Sequence, residues 1–417
     1  MKCGLLGRHL AHSYSPKIHA LLGEYSYELF EKEPEELEDF LRSGQWDGIN
    51  VTIPYKKAVI PFLDELTPIA QRLGAVNTIV RWDGKLIGHN TDYYGFRMLL
   101  ETLPMPFELQ KCLVLGSGGA SNTVAAVLRD FDANVVIVSR SGENNYDNLH
   151  LHKDASLIVN ATPVGMYPDT GISPVPNVAD LTVFPYLRGV IDLIYNPART
   201  KLLLDAETKY DDKDRWFNFR NGLLMLVAQA KEAAEWFTGT TISSDVIEPI
   251  LDRLERDMLN VVLIGMPGCG KSSIGKLLSE KTGRRFVDAD EEIVKLAGKS
   301  IPEIFEQDGE EAFRDLETKV LAELGKQSGL IIATGGGCVT KERNYNLLHQ
   351  NGTIFWIRRK LDDLPTDGRP LSQQNDLQEM YRIREPLYVG WCDQIIDNDG
   401  TPDDAAWQIL NFLEYDI

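Results

Sequence analysis

Asn260-Val-Val-Leu-Ile-Gly265-Met-Pro-Gly-Cys-Gly270-Lys271-Ser272-Ser273 opens a new folding unit well past the middle of a 417-residue chain. The apolar run Val261 to Ile264 predicts a buried strand, and Ile274 to Thr282 have helical spacing. The loop between them matches G-x-x-x-x-G-K-[ST] in the strand–loop–helix setting that this pattern requires. Its glycines let successive backbone N–H groups curl around phosphate oxygens, and the helix N-terminus adds positive potential. Gly268, Cys269, Gly270, Lys271, Ser272 and Ser273 are therefore expected to bind ATP. Lys271 would reach the β- and γ-phosphates and Ser272 would hold Mg²⁺.

Upstream, apolar strands and helices alternate in the same way. KCGLL is a short apolar run, Ser15-Pro16 opens a helix through Leu22, and GINVTIP is a strand stopped by Pro54. A helix from Thr91 to Thr102 leads to Pro104 and Pro106, where a hinge is expected. KCLVLG, NVVIVS, SLIVNAT and GVIDLIY then read as strands apolar throughout, which implies a parallel sheet covered on both faces. Helices over Asn221–Phe237 and Ser243–Met258 follow, and the second joins the halves with no Gly/Ser/Pro-rich linker. The fold class is α/β.

Composition narrows the function classes. At 43% hydrophobic and 25% charged, the chain has the mix of an ordinary globular protein. Its net charge of −19 is shared by both halves, which argues against nucleic-acid or anionic-membrane partners. No apolar run reaches the ~20 residues of a membrane helix. The opening MKCGLLGRHLAHSYSP turns polar too soon for a secretory signal. Five scattered cysteines without a C-x-x-C pair fit a reducing cytoplasm rather than a disulfide framework.

What the phosphate loop serves is read from the residues beyond it. Asp288 and Asp290 follow RRFVD, Arg314 sits in EEAFRDLE, and Gly335-Gly336-Gly337 end LIIAT. Arg369 lies in DGRPL and Arg384 in YRIREPLY. Arginines beside an acidic pair suit a small substrate with a carboxylate at one end and a hydroxyl at the other. Singly, each is an ordinary surface charge. In order, the phosphate loop, F-x-D-x-D, F-R-x-x-E, the triple glycine, R-P-L and R-x-P-L-Y resemble shikimate kinase over about residues 260–417. The resemblance implies Asp290 on the reacting hydroxyl, Asp288 supporting Mg²⁺, and Arg314, Arg384 and Gly336 clamping shikimate. Arg369 would come from a closing lid onto the transferring phosphoryl group. Residues 361–368 are shorter than the family's usual lid and lack its second upstream arginine.

In the first half, Gly116-Ser117-Gly118-Gly119-Ala120 follow a strand and open a helix, a setting for a dinucleotide pyrophosphate. The next strand ends in Ser139-Arg140-Ser141, and an arginine there suits the extra phosphate of NADP where a carboxylate would suit NAD. Ser13, Ser15, Thr52, Lys56, Asn77 and Asp92 fall at turns or strand ends, with Tyr195 and Gln229 further on. A lysine and an aspartate can move a proton at a carbonyl while hydride moves at carbon. H-S-x-S-P, N-V-T-x-P-x-K, A-V-N-T, N-T-D, the glycine turn, N-A-T-P-x-G-M and Y-N-P together resemble shikimate dehydrogenase across about residues 1–250. That implies Lys56 and Asp92 as the catalytic pair, with Ser13, Ser15, Thr52, Asn77, Asp92, Tyr195 and Gln229 on substrate. Gly116 to Ala120, Arg140, Leu193 and Gly222 would lie along NADP. The roughly 15 residues between Arg140 and SLIVNAT are fewer than the family's usual connection, and its second arginine is missing.

The two resemblances meet on one acid, the product of one reaction and the substrate of the other. The expected architecture is a two-domain dehydrogenase-like half followed by a P-loop kinase domain over 258–417. Within the first half, 1–100 plus 215–257 would bind substrate, and 101–214 would form a Rossmann-type NADP domain. Two other readings stay open: a first half using quinate or NAD, and a non-catalytic binding module beside an active kinase. Oligomeric state and direct transfer between sites are not legible in the sequence.

Overall fold

The computed structural model describes residues 1–10, 13–175, 181–210, 217–364 and 377–415. They fall into two compact units. The first is Met1–Met166, Gly171–Tyr195 and Thr200–Arg253; the second is Tyr167–Thr170, Asn196–Arg199 and Leu254–Ile417.

The first unit opens with a six-stranded sheet. Its spatial order is Ser26–Glu31, Lys2–Gly7, Gly48–Val51, Thr78–Trp82, Lys85–His89 and Glu65–Leu66. The first three strands run parallel, whereas Thr78–Trp82 is antiparallel to both its neighbours. This mixed sheet was not anticipated from the apolar runs. Its cause is local: Asp83 and Gly84 both have positive φ, 49° and 76°, which is the two-residue turn that suits a twisted hairpin.

A second sheet is parallel throughout, as the strand composition predicts. Its order is Asn218–Arg220, Gly189–Asp192, Leu157–Asn160, Lys111–Leu115 and Asn134–Val138. Cys112 to Leu115 are fully buried, and the helix Gly119–Asp130 seats Val124, Val127 and Leu128 against one face. Truncating one such leucine to alanine costs about 2–5 kcal/mol. The short connection after Arg140 holds a 3₁₀ segment, Tyr146–His152, and no strand.

The second unit carries another all-parallel sheet. Its order is Phe286–Asp288, Ile331–Ala333, Asn260–Ile264, Gly352–Arg358 and Gln394–Asp397. The helix after the phosphate loop starts at Lys271, earlier than its apolar spacing suggests, because Gly270 (φ 103°) turns the chain straight into it. In both parallel sheets the first strand in sequence lies inside, with later strands on either side. A crevice opens at the carboxyl end of such a strand.

Candidate active sites

At the end of Asn260–Ile264 lies a cleft of ≈ 720 Å³. Asp288 organises its floor. One carboxylate oxygen accepts the Asp290 N–H at 3.0 Å and caps the helix Ala289–Ala297, while the other accepts the Ser272 hydroxyl at 2.6 Å. Asp290 is thereby held beside Ser272. Burial, and then the adjacent Asp288, push its carboxyl above the usual range, against the pull of Lys271 and Arg314. Glu317 has no exposed surface, and burial pushes it up to about 7 although Arg314 donates to it at 2.9 Å. Arg314 also reaches Glu310 at 3.2 Å. Arg384 donates to the Gly336 carbonyl at 3.2 Å, and the Tyr388 hydroxyl donates to the same oxygen. The Lys271 ammonium donates to the carbonyls of Gly265 and Met266.

The triple glycine is explained by close approach rather than by backbone angle. A Cβ on Gly335 would stand 2.8 Å from both Asp290 Oδ1 and Glu317 Oε1. One on Gly336 would meet the Pro267 ring at 2.6 Å, and one on Gly337 the Arg314 guanidinium at 2.2 Å. Glycine thus lets two carboxylates and a guanidinium lie against bare main chain. Asp290 Oδ1 and Glu317 Oε1 are buried and have no hydrogen-bond partner. Unpaired buried oxygens cost free energy and point to a ligand donor.

In the first unit Lys56 Nζ and Asp92 Oδ2 stand 2.6 Å apart, partly buried. Asp92 begins the helix Asp92–Glu101, and the preceding Thr91 is the hub of a buried network. Asn77 accepts the Thr91 N–H at 2.7 Å and donates to its hydroxyl at 3.0 Å, and that hydroxyl meets Gln229 Oε1 at 3.2 Å. Ser13 accepts the Ser15 N–H at 3.2 Å, and Tyr14 between them packs edge-on against Tyr195, ring centroids 6.1 Å apart. Burial pushes the Tyr195 phenol up to about 12. Thr52 ties its N–H to the Leu6 carbonyl at 2.9 Å.

Along the second sheet, Gly116 (φ 111°) abuts the Ala161–Thr162 turn. A Cβ on Gly118 or Gly119 would meet nothing within 4 Å, and the helix they begin has no side-chain cap. A helix start of this kind suits an anion. Gly222 closes on Leu193 so tightly that a Cβ would stand 1.9 Å from the Leu193 carbonyl. Asp192, fully buried, accepts from Asn160, the Ile194 N–H and Thr200, and burial raises it to about 6.

A shikimate dehydrogenase (NADP(+)) of Clostridium perfringens is 34% identical over 274 residues, which is 60% of this chain and 97% of its own. The chain belongs to the shikimate dehydrogenase family. Residues 5–79 match the shikimate dehydrogenase substrate binding domain, and residues 267–414 match shikimate kinase. This dehydrogenase is therefore fused to a shikimate kinase. The crystal structure of a chorismate mutase/shikimate 5-dehydrogenase fusion protein from Clostridium acetobutylicum matches at 35% identity and TM-score 0.56, over 61% of this chain and 97% of that one. The Thermus thermophilus shikimate 5-dehydrogenase in complex with NADP(H) and shikimate matches at 33% identity and TM-score 0.54, over 61% and 99%.

In the kinase half, Gly268, Gly270, Lys271, Ser272, Ser273, Asp288, Asp290, Arg314, Gly336 and Arg384 line one cleft. Cys269 differs: its side chain is buried beneath the loop, leaving only its backbone to a ligand. Arg369 lies outside the described residues. In the dehydrogenase half, Asn77 and Gln229 converge on Thr91 beside Asp92, Tyr195 joins the serine turn, and Leu193 meets Gly222. Ser117 and Arg140 are exposed, Arg140 two residues beyond a strand that neighbours the glycine turn. Thr91, Asp192, Glu317 and Arg359 were not foreseen. Glu317 had a signal, one helical turn after Arg314 within F-R-x-x-E. The donor sets fit the expected groups: uncapped helix starts for phosphates, and a hydroxyl with a carboxylate for Mg²⁺.

Proposed function

We propose that the chain reduces 3-dehydroshikimate to shikimate with NADPH and phosphorylates shikimate with ATP and Mg²⁺. The observation that carries this is the pairing of two constructions in one chain: the Lys56–Asp92 contact, and an acidic pair ringed by arginines at a phosphate loop. NADPH supplies the hydride when bound. Lys56 holds the proton at Nζ that the carbonyl oxygen receives, and Asp92 fixes that ammonium. Ser13, Ser15, Thr52, Asn77, Tyr195 and Gln229 read the hydroxyls and carboxylate of the acid. Gly116, Ser117, Gly118, Gly119, Ala120, Arg140, Leu193 and Gly222 border the dinucleotide, on a domain taken as 101–214 between substrate-binding segments 1–100 and 215–257.

In the kinase, over 258–417, Asp290 takes the proton of the attacking hydroxyl, helped by its raised basicity. Arg314, Arg384 and Gly336 hold the acid in place. Lys271 neutralises the phosphates, Ser272 and Asp288 hold Mg²⁺, and Arg369 completes the charge balance. Phosphoryl transfer needs this positioning and neutralisation more than covalent chemistry.

Five free cysteines, and no helix among the described residues long and apolar enough to cross a membrane, support a cytoplasmic setting. The test is incubation of the intact chain with 3-dehydroshikimate, NADPH, ATP and Mg²⁺, following shikimate 3-phosphate by mass spectrometry. Product that requires both nucleotides supports the reading, and its absence overturns it. Parallel rates with quinate and NAD settle substrate and cofactor preference.

A further inference from the structure

Arg359 is a further cation of the kinase cleft. It follows the strand Gly352–Arg358, which pairs in parallel with the strand entering the phosphate loop, Ile264 opposite Trp356. Arg359 therefore leaves its strand beside the start of the phosphate loop. The approach is close because Gly265 has no side chain, where a Cβ would lie 2.5 Å from the Ile357 carbonyl.

Successive side chains at a strand end look opposite ways. Arg358 and Lys360 both face outward to acidic partners. Arg358 grips Asp397 through two hydrogen bonds of 2.6 and 2.9 Å, and Lys360 reaches Asp399 at 3.4 Å. Arg359, between them, lines the cleft. Its Nε is buried without a partner. Among the described cations of that cleft, Lys271, Arg314 and Arg384 all donate to protein oxygens, and Arg359 alone has no such acceptor. Leaving a buried guanidinium nitrogen unpaired is costly unless a ligand supplies the acceptor.

Strand order says which ligand. The strand Ile331–Ala333, leading to the triple glycine beside Arg314, flanks the phosphate loop on one side, and Gly352–Arg358 flanks it on the other. By strand order Arg359 is thus across the loop from Asp290 and Gly336, which are assigned to the acid. We infer that Arg359 binds the polyphosphate of the nucleotide, as a strand-anchored cation separate from the one expected at Arg369. The inference rests on the loop being an ATP site. A guanidinium offers a planar fork to two phosphate oxygens, which a lysine does not.

The test compares Arg359→Ala and Arg359→Lys with the unmodified full-length chain. Steady-state kinase kinetics give KM for ATP and for shikimate, and calorimetry gives Mg²⁺-ADP and Mg²⁺-AMP-PNP affinity. Arg359→Ala should raise KM for ATP and weaken both nucleotides about 10- to 100-fold, with KM for shikimate within twofold. Arg359→Lys should recover part of the loss, and dehydrogenase rate and circular dichroism should stay unchanged in both. Unchanged nucleotide affinity, or a rise in KM for shikimate instead, overturns the proposal. Loss of nucleotide and shikimate binding together in the folded lysine variant does so too, since it marks a structural role. Failure of the kinase reading shows separately, as an unmodified chain that binds nucleotide yet forms no shikimate 3-phosphate.

Discussion

Gly335→Ala isolates what the triple glycine does. The added methyl would lie 2.8 Å from Asp290 Oδ1 and equally from Glu317 Oε1. To regain ordinary contact near 3.4 Å, each oxygen has to retreat by about 0.6 Å. Gly335 does not occupy the left-handed region, so the effect is steric and does not come from backbone strain. Both oxygens are buried with no alternative partner, and Asp290 is fixed through its N–H to Asp288. Overpacking of this size destabilises by about 1–3 kcal/mol. Misplacing a reacting group by ~1 Å costs on the order of 100-fold in rate, so kinase kcat should fall about 10- to 100-fold. Shikimate 3-phosphate formation measures it, and oxidation of shikimate by the same preparation, expected within twofold of normal, is the internal control. A kinase kcat within threefold of the parent, in a folded variant, would refute the account of Asp290 and Glu317 as oxygens pressed on bare main chain.

Three further outcomes are expected. Lys56→Met, which removes the ammonium 2.6 Å from Asp92, should lower dehydrogenase kcat by about 10²- to 10⁴-fold and leave kinase rates unchanged; equal loss of both activities contradicts it. Asp192→Ala strands the Ile194 N–H together with the Asn160 and Thr200 donors, and should destabilise by about 3 kcal/mol or more in urea melts. Asp192→Asn, which keeps an acceptor, should cost clearly less. Glu317 titrates at about 7 in the folded chain against an ordinary 4.5, so the folded state holds a proton that the unfolded state releases. That stability is full below pH 4.5 and is lost as pH rises through 7, up to about 3 kcal/mol. Glu317→Gln should flatten that slope, and parallel pH profiles for the two proteins would sink the argument.

Much of the architecture was legible because the strands of the two parallel sheets are short apolar runs closed by glycine turns. Lys111–Leu115 and Asn260–Ile264 each announce both the strand and the turn after it. The mixed sheet is written differently. Ser26–Glu31 is largely exposed and carries no apolar run, while the hairpin depends on the pair Asp83-Gly84. Side-chain aim was the harder part. Lys56 and Asp92 are 36 residues apart, and their contact depends on Val76 docking its N–H on the Lys56 carbonyl at 2.8 Å. Asp192 reads as the end of an apolar strand, and only the approach of Asn160 and Thr200 makes it a hub. Arg359 had no signal at all, because its direction is set by strand pairing and by Asp397, which takes up its neighbour.

The alternation along Arg358, Arg359 and Lys360 makes this short segment sensitive to length as well as to identity. Deleting one residue between Phe355 and Ile357 would shift every later side chain by half a pleat. The arginine that now clasps Asp397 would swing inward, and the present inward one would be stranded at the rim. Chain length here is therefore itself part of the binding information, and homologues that insert or drop a residue at this point would have to find their cation elsewhere.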